Sequence, residues 1–406
     1  MSLRTDAKFI YENAIAASMP EAAVKNALKS FVLPKGKLIL LSIGKAAWQM
    51  AKAAHDILGD KINGGVVVTK YEHSKGKIGN LEIYEAAHPV PDENGIKATK
   101  RALDVTSELS ENDTVVFLVS GGGSALFEYV DFPLSDLSEL TKQMLASGAS
   151  IEEMNTVRKH LSEVKGGRFA EHVFPAKVFG IVLSDIISSR LDMIASGPTV
   201  PDSSTAAEAK AIVEKYSLVL TDKQKELLLR ETPKTVSNAN HSISGSVSEL
   251  CIAARAAAEN LGYESYIITD SMDTEARCAG ELIGSVAANL ATKRKNPLCL
   301  IFGGETVVRL KGKGLGGRNQ ELALSAAKYI SGIDGVAVFS VGSDGTDGPT
   351  DAAGGYVDGK TYLSVPDCLD YLDNNDSYNA LKISDGLIVT GPTGTNVNDF
   401  AAILIK

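Results

Sequence analysis

Short, almost wholly apolar runs alternate along the chain with loops rich in Gly, Ser and Asp and with helical stretches rich in Ala. Residues 37–42 (KLILLS), 65–69 (GVVVT), 114–119 (TVVFLV) and 178–183 (VFGIVL) are such runs in the first half. Residues 265–269 (SYIIT), 298–302 (LCLIF) and 336–341 (VAVFSV) repeat the pattern in the second, with a helix predicted over 248–261. Continuous rather than alternating apolar runs are expected of parallel strands covered on both faces. The predicted class is therefore α/β: two α/β domains with largely parallel sheets. Residues 229–246 carry Pro, Asn, Ser and Gly with no strong apolar period, so they read as a linker. The expected domains are 1–235, Rossmann-like, and 240–406, with the placement of the last segment left open.

A chain of 406 residues is long for a single core, which supports two domains. Its formal net charge of −9, without any Lys/Arg run, excludes a general nucleic-acid binder. No run of about 18 apolar residues is present, and no secretory apolar stretch opens the chain, so a soluble cytoplasmic protein is expected. The four cysteines form no Cys-x-x-Cys pair, so a zinc site or disulfide framework is not supported.

In open α/β sheets, ligands bind beyond the carboxyl ends of the strands. Several Gly-rich polar loops fall there. The sharpest is Ser120-Gly121-Gly122-Gly123-Ser124, where three glycines let backbone N–H groups approach a phosphate or carboxylate. A tight strand–helix turn is the competing reading. This loop lacks the third glycine of the dinucleotide fingerprint, and Gly44-Lys45 lacks the upstream glycine of a Walker A loop.

A second loop, residues 312–317, delivers Arg318 at the start of a helix, where a guanidinium could take a phosphate or carboxylate in bidentate fashion. A third, residues 342–351, spaces Asp344, Asp347 and Asp351 with hydroxyls between them. These are hard oxygen donors suited to Mg²⁺, although Asp and Gly also simply make turns. Two further polar segments are 155–160, which includes Asn155 and Lys159, and 391–399, which includes Asn396 and Asn398.

Together these segments resemble the type II glycerate kinases of the GckA/TtuD (MOFRL) family. The resemblance rests on LVSGGGSALF (118–127), MNTVRKHLSEVKGGRFA (154–170), IASGPTVPD (194–202), FGGETVVRLKGKGLGGRNQELAL (302–324), GSDGTDGPTDAAGGYVDG (342–359) and GPTGTNVND (391–399). It implies phosphorylation of D-glycerate by ATP with Mg²⁺, giving 2-phosphoglycerate, at a site in the cleft between the domains. Lys45 and Arg318 match the family's catalytic Lys and Arg, and Asp185 is the candidate carboxylate. Metal ligands are expected among Asp185, Asp344, Asp347 and Asp351. Substrate or nucleotide contacts are expected from Ser120 to Ser124, Asn155, Lys159, Ser184, Glu305, Asn319, Asn396 and Asn398. The expected partners are D-glycerate and a nucleotide, with a homodimer compatible and neither nucleic acid nor membrane involved.

One departure follows Ser184-Asp185, where Ile186-Ile187-Ser188-Ser189-Arg190 replaces the Gly and acid expected of the family. The alternatives are an NAD(P)-dependent hydroxypyruvate reductase, a phosphosugar isomerase and an anion sensor. Neither Lys45 nor Arg318 reads as a core position, so both are expected to matter for rate and little for stability.

Overall fold

The computed structural model describes residues 2–183, 191–365 and 367–406. They fall into two compact units, one of residues 23–183 and 191–244, the other of residues 2–22 and 245–406.

The first unit is built on six strands: β1 (Leu38–Ile43), β2 (Gly64–Lys70), β3 (Glu82–Ala86), β4 (Thr114–Val119), β5 (Lys177–Val182) and β6 (Ala239–Ile243). All pair in parallel, in the order β3-β2-β1-β4-β5-β6. Every residue of β1 and β4 is buried, as their unbroken apolar runs require. The chain moves outward from β1 to β3 and then returns to the other side of β1. The strand order therefore reverses between β1 and β4, which opens a crevice at their carboxyl ends. The pairing of Ile43 with Val119 makes the two strands end level, so their following loops stand side by side.

β6 lies within the stretch expected to be a linker. Its sequence, ANHSI, is polar and only partly covered, because β6 is an edge strand. His241 packs where Gly180 of β5 leaves room; a Cβ there would stand 2.5 Å from its ring.

The second unit carries β7 (Glu264–Met272), β8 (Leu298–Gly304), β9 (Val336–Gly342), β10 (Gly354–Asp358), β11 (Leu387–Ile388) and β12 (Asp399–Ile405), ordered β11-β10-β9-β12-β8-β7. The α/β class holds, but this sheet is mixed rather than largely parallel. β7 and β8 pair in parallel, and every other neighbouring pair is antiparallel. The cause is the final segment, FAAILI, which enters between β8 and β9 as the buried strand β12.

The first residues also belong to this second unit, not to 1–235 as expected. Ser2 caps helix Leu3–Ala17, whose buried stripe of Ala7, Ile10, Tyr11, Ala14 and Ile15 follows the helical period. The helix packs against helix Val247–Asn260 and β9. Buried Asp6 accepts from the Tyr263 hydroxyl at 2.6 Å and pairs with Lys406 at 2.6 Å. The four cysteines are free thiols. Burial pushes the thiols of Cys251 and Cys299 up to about 12, which leaves them unreactive.

Candidate active site

The crevice between β1 and β4 is assembled by backbone geometry. Gly44 follows β1 at φ +113°, and a Cβ there would stand 2.4 Å from the Ser120 carbonyl oxygen. Glycine is needed for both reasons. The next N–H, of Lys45, donates to the Gly121 carbonyl at 2.9 Å. The N–H of Ala46 donates to Ser120 Oγ at 3.1 Å, and that hydroxyl donates to the Ile43 carbonyl at 3.2 Å. The Lys45 carbonyl accepts from Thr69 Oγ1 at 3.3 Å and lies 2.9 Å from His73 Nδ1. The backbone of Lys45 is thus fixed on three sides. Its exposed ammonium has no hydrogen bond or ion pair among the described residues.

The glycine-rich loop is held as firmly. Gly122 adopts φ +86°, and its missing Cβ leaves room for the His88 ring and the Lys45 side-chain stem, which would stand 2.9 and 3.3 Å from it. Phe127, just after helix Gly123–Leu126, packs on Phe117 and Phe169 with ring centroids 5.6 and 5.3 Å away. Below it, fully buried Lys165 donates to the Phe127 carbonyl and pairs with Glu128, both at 2.9 Å. Burial lowers the pKa of Lys165, and Glu128 opposes that shift. The sequence places Lys165 in a cation-rich segment, 165–168, beside a short helix, but gives it no role at the site.

Ser124 reaches a second strained segment. Ala195 and Ser196 both take positive φ, 50° and 59°, ahead of Gly197 at 64°. Such conformations cost about 1–3 kcal/mol each and persist where the surroundings impose them. Here Gly166 N–H donates to the Ser196 carbonyl at 3.0 Å and Gly167 N–H to the Gly197 carbonyl at 2.7 Å. Ser196 Oγ lies 3.1 Å from Ser124 Oγ and donates to Asn155 Oδ1 at 3.1 Å. Asn155 thus joins the loop through Ser196. Lys159 does not join it as expected: its ammonium is buried and taken by Asp202 at 3.1 Å and Asp192 at 3.7 Å. Ser184 and Asp185 lie outside the described residues. A cavity of about 260 Å³ borders the loop, lined in part by His88, Gly122, Ser124 and Arg158.

In the second unit, Arg318 opens helix Arg318–Ala327 and clamps Asp399 at the start of β12, Nε to Oδ2 at 2.5 Å and Nη2 to Oδ1 at 3.1 Å. Glu305, just past β8, lies 3.3 Å from Nη1. Burial pushes the Asp399 carboxyl up to about 6 even though Arg318 pulls it down. Burial alone would lower the Arg318 guanidinium, but its bond to Asp399 outweighs this, and the net shift is upward. Arg318 is therefore part of the packing of this unit, contrary to the expectation of a position with little structural weight.

Of the expected metal ligands, Asp344, Asp347 and Asp351 do not form a cluster, and Asp185 lies outside the described residues. Asp347 is buried, and its carboxylate accepts from the N–H groups of Asn319 (3.1 Å) and Gln320 (2.9 Å) and from Gln320 Nε2 (3.0 Å). Gly317, at the helix N-cap, has no side chain to offer, so Asp347 supplies the missing acceptor. Asp344 closes a turn onto Thr346 N–H at 2.9 Å, and exposed Asp351 accepts from the Tyr378 hydroxyl at 2.8 Å. Among the described residues no group of three or more His, Cys, Asp or Glu could hold a metal ion. These residues do not fit a resident Mg²⁺ cage.

Asn319 is likewise structural: it is buried and accepts from Ser340 Oγ at 2.6 Å. Asn396 accepts from the Asn398 N–H at 3.4 Å. The buried amide nitrogen of Asn398 has no partner among the described residues. Its loop is tied to residues 343–344 by Thr393 Oγ1 to the Ser343 carbonyl at 2.6 Å and Val397 N–H to Ser343 Oγ at 2.8 Å.

Residues 6–229 match a family described as a domain of unknown function, DUF4147, and residues 298–399 match the MOFRL family. Over 413 aligned residues the chain is 55% identical to a D-glycerate 2-kinase of Thermotoga maritima, covering 100% of this chain and 99% of that protein. A glycerate 2-kinase of Pyrococcus horikoshii is 41% identical, covering 100% of this chain and 98% of its own. The crystal structure of a glycerate kinase from Thermotoga maritima superposes with a TM-score of 0.95 at 55% identity, covering 100% of both chains.

Proposed function

The chain belongs to the glycerate kinase family that joins a DUF4147 domain to a MOFRL domain, and on that premise we propose that it transfers the γ-phosphoryl group of ATP to the 2-hydroxyl of D-glycerate. The observation that carries the site assignment is Lys45: a lysine whose ammonium has no partner among the described residues, fixed by its backbone to the glycine-rich loop at the switch point of the first sheet.

Phosphoryl transfer asks a protein for positioning and charge neutralisation more than for covalent chemistry. The hydroxyl oxygen forms the new bond to the γ-phosphorus. The bond to the β–γ bridging oxygen breaks, and its electron pair leaves on ADP. The hydroxyl proton is released. In this reading Lys45 neutralises charge developing on the phosphoryl oxygens, and the N–H groups of Gly121 and Gly122 orient an anionic group beside it, the Gly123 N–H being taken by the Ser120 carbonyl at 3.3 Å. Within the second unit, Asp399 holds the Arg318 guanidinium in one orientation, which suits that cation to an anionic ligand. Magnesium arrives with the nucleotide as its counter-ion and is part of that substrate; one or two carboxylates suffice to meet such an ion.

Among the described residues no helix is long and apolar enough to cross a membrane, and we place the enzyme in the cytoplasm. The reductase alternative has less support, because the loop after β4 lacks the third glycine of a dinucleotide site. Incubation with D-glycerate, ATP and Mg²⁺, followed by phosphorus NMR, tests the proposal. It should give 2-phosphoglycerate. A 3-phosphate product would overturn the position, and NAD(P)H oxidation with hydroxypyruvate in place of ATP turnover would overturn the reaction.

A further inference from the structure

We propose that Arg158 anchors the carboxylate of the hydroxy-acid substrate, in the cavity beside the glycine-rich loop. The assignment rests on the kinase reading above and names the specificity-determining residue of that site.

Three consecutive bases, Arg158, Lys159 and His160, end helix Ile151–Leu161, and the fold treats each differently. Met154, Val157 and Leu161 face a buried apolar cluster with Leu140, Met144 and Leu227, which fixes the rotation of the helix. Lys159 is consumed by Asp202 and Asp192. His160 is buried, with Nδ1 2.9 Å from the Thr156 carbonyl. Arg158 is half-buried and lines the cavity without a hydrogen bond or ion pair among the described residues. Withdrawing a guanidinium from water without an acceptor is costly, and a planar carboxylate repays it with two parallel hydrogen bonds.

The rest of the wall suits a small acid. Glu128 also lines the cavity, but its oxygens are engaged by Lys165 (2.9 Å), Ser162 Oγ (2.5 Å) and the Tyr129 N–H (3.1 Å). Lys165 is its close ion-pair partner, so Arg158 feels Glu128 only as a longer-range attraction and has no ion pair of its own among the described residues. His88 is kept neutral by burial and by the nearby charges of Lys45, Lys70 and His73. It can therefore hydrogen-bond a hydroxyl without adding charge. The volume, about 260 Å³, takes a three-carbon acid with water, at about 30 Å³ for each water in the liquid. Gly122 is the shared wall: His88 and the Lys45 stem both close on it. An acid held at Arg158 turns its hydroxyl end toward the loop that carries Lys45.

Calorimetric titration of D-glycerate and, separately, of magnesium ATP into the wild type, Arg158→Met and Arg158→Lys tests this, with melting curves alongside. Arg158→Met keeps the apolar stem and should bind D-glycerate about 30-fold or more weaker, the cost of stripping one partner from a desolvated charge pair. Its affinity for the nucleotide should stay within about twofold, below the tenfold that 1.4 kcal/mol represents. Arg158→Lys, which keeps the charge and safeguards folding, should recover only part of the loss, because it lacks the planar fork. In kinetics the defect should fall on KM for glycerate and spare kcat at saturation. Unchanged D-glycerate affinity in Arg158→Met would overturn the proposal, as would loss of nucleotide affinity in its place, which would make this a phosphate site. A wild type that binds D-glycerate through Arg158 but does not phosphorylate it would sink the kinase reading and leave the anchor standing. A wild type that does not bind D-glycerate at all sinks the anchor.

Discussion

The N–H of Lys45 donates to the carbonyl oxygen of Gly121 at 2.9 Å, joining the loops that follow β1 and β4. This bond puts a lysine with no side-chain partner among the described residues against the glycine-rich loop. It depends on Gly44, whose φ of +113° turns the chain, and on the level ending of Ile43 and Val119.

Gly44→Ala should therefore damage both fold and rate. The new Cβ would meet the Ser120 carbonyl at 2.4 Å, in a backbone region that disfavours any side chain. Strain of this kind costs about 1–3 kcal/mol before the clash is added. Chemical denaturation should show at least that loss, and turnover of the folded fraction should fall because Lys45 moves. An unchanged midpoint with normal turnover would mean that the loop tolerates the shift.

Arg318→Ala leaves Asp399 buried without its cation. Because Arg318 is about a third exposed, the stability cost is discounted to roughly 1–3 kcal/mol. The cost should depend on pH. With Arg318 present the Asp399 carboxyl sits at about 6, above its ordinary value of 3.8, and losing Arg318 raises it further. A carboxyl with a folded pKa above its unfolded one favours folding while protonated and loses that contribution as pH rises through the folded value. The melting gap to wild type should thus widen as pH rises above about 6, where the wild-type carboxyl has ionised and the variant's has yet to. Adding Asp399→Asn should flatten it. A gap independent of pH would contradict this account of the pair.

Asp347→Asn separates a helix cap from a metal ligand. The carboxylate accepts from two backbone N–H groups and a side chain, so the variant should lose about 1–3 kcal/mol of stability. The magnesium dependence of its rate should match wild type. A many-fold higher magnesium requirement, with unchanged melting, would restore the metal role that the sequence spacing suggested.

What could be read in advance follows from burial on two faces. β1, β4, β8 and β9 are unbroken apolar runs, and each falls within a residue or two of its predicted place. The pairing direction is not written in such runs. FAAILI reads equally as a parallel or antiparallel strand, so the mixed second sheet stayed hidden. β6 escaped because an edge strand need not be apolar. Helix Leu3–Ala17 escaped because an amphipathic stripe does not say which core it covers. The approach of the Gly44–Lys45 turn to the glycine loop follows from glycines placed just after buried strands, which let the backbone come close to a neighbour; a role for Lys45 came from the family resemblance. The arrangement of the acids of 342–351 was not legible. Their spacing shows three carboxylates, but only the structure reveals a helix that starts after Gly316-Gly317 and borrows Asp347 as its cap.

The most direct test of the account is turnover of Lys45→Met, measured with D-glycerate and magnesium ATP beside its melting curve. The Lys45 side chain is exposed and donates no bond among the described residues, so stability should change by only about 0.5 kcal/mol, as for other surface substitutions. Loss of its charge from the transition state should lower kcat by roughly 100- to 1000-fold, with a smaller effect on KM. Near-wild-type kcat, or a collapsed melting transition in place of a kinetic defect, would contradict the claim that Lys45 acts on the transferring phosphoryl group.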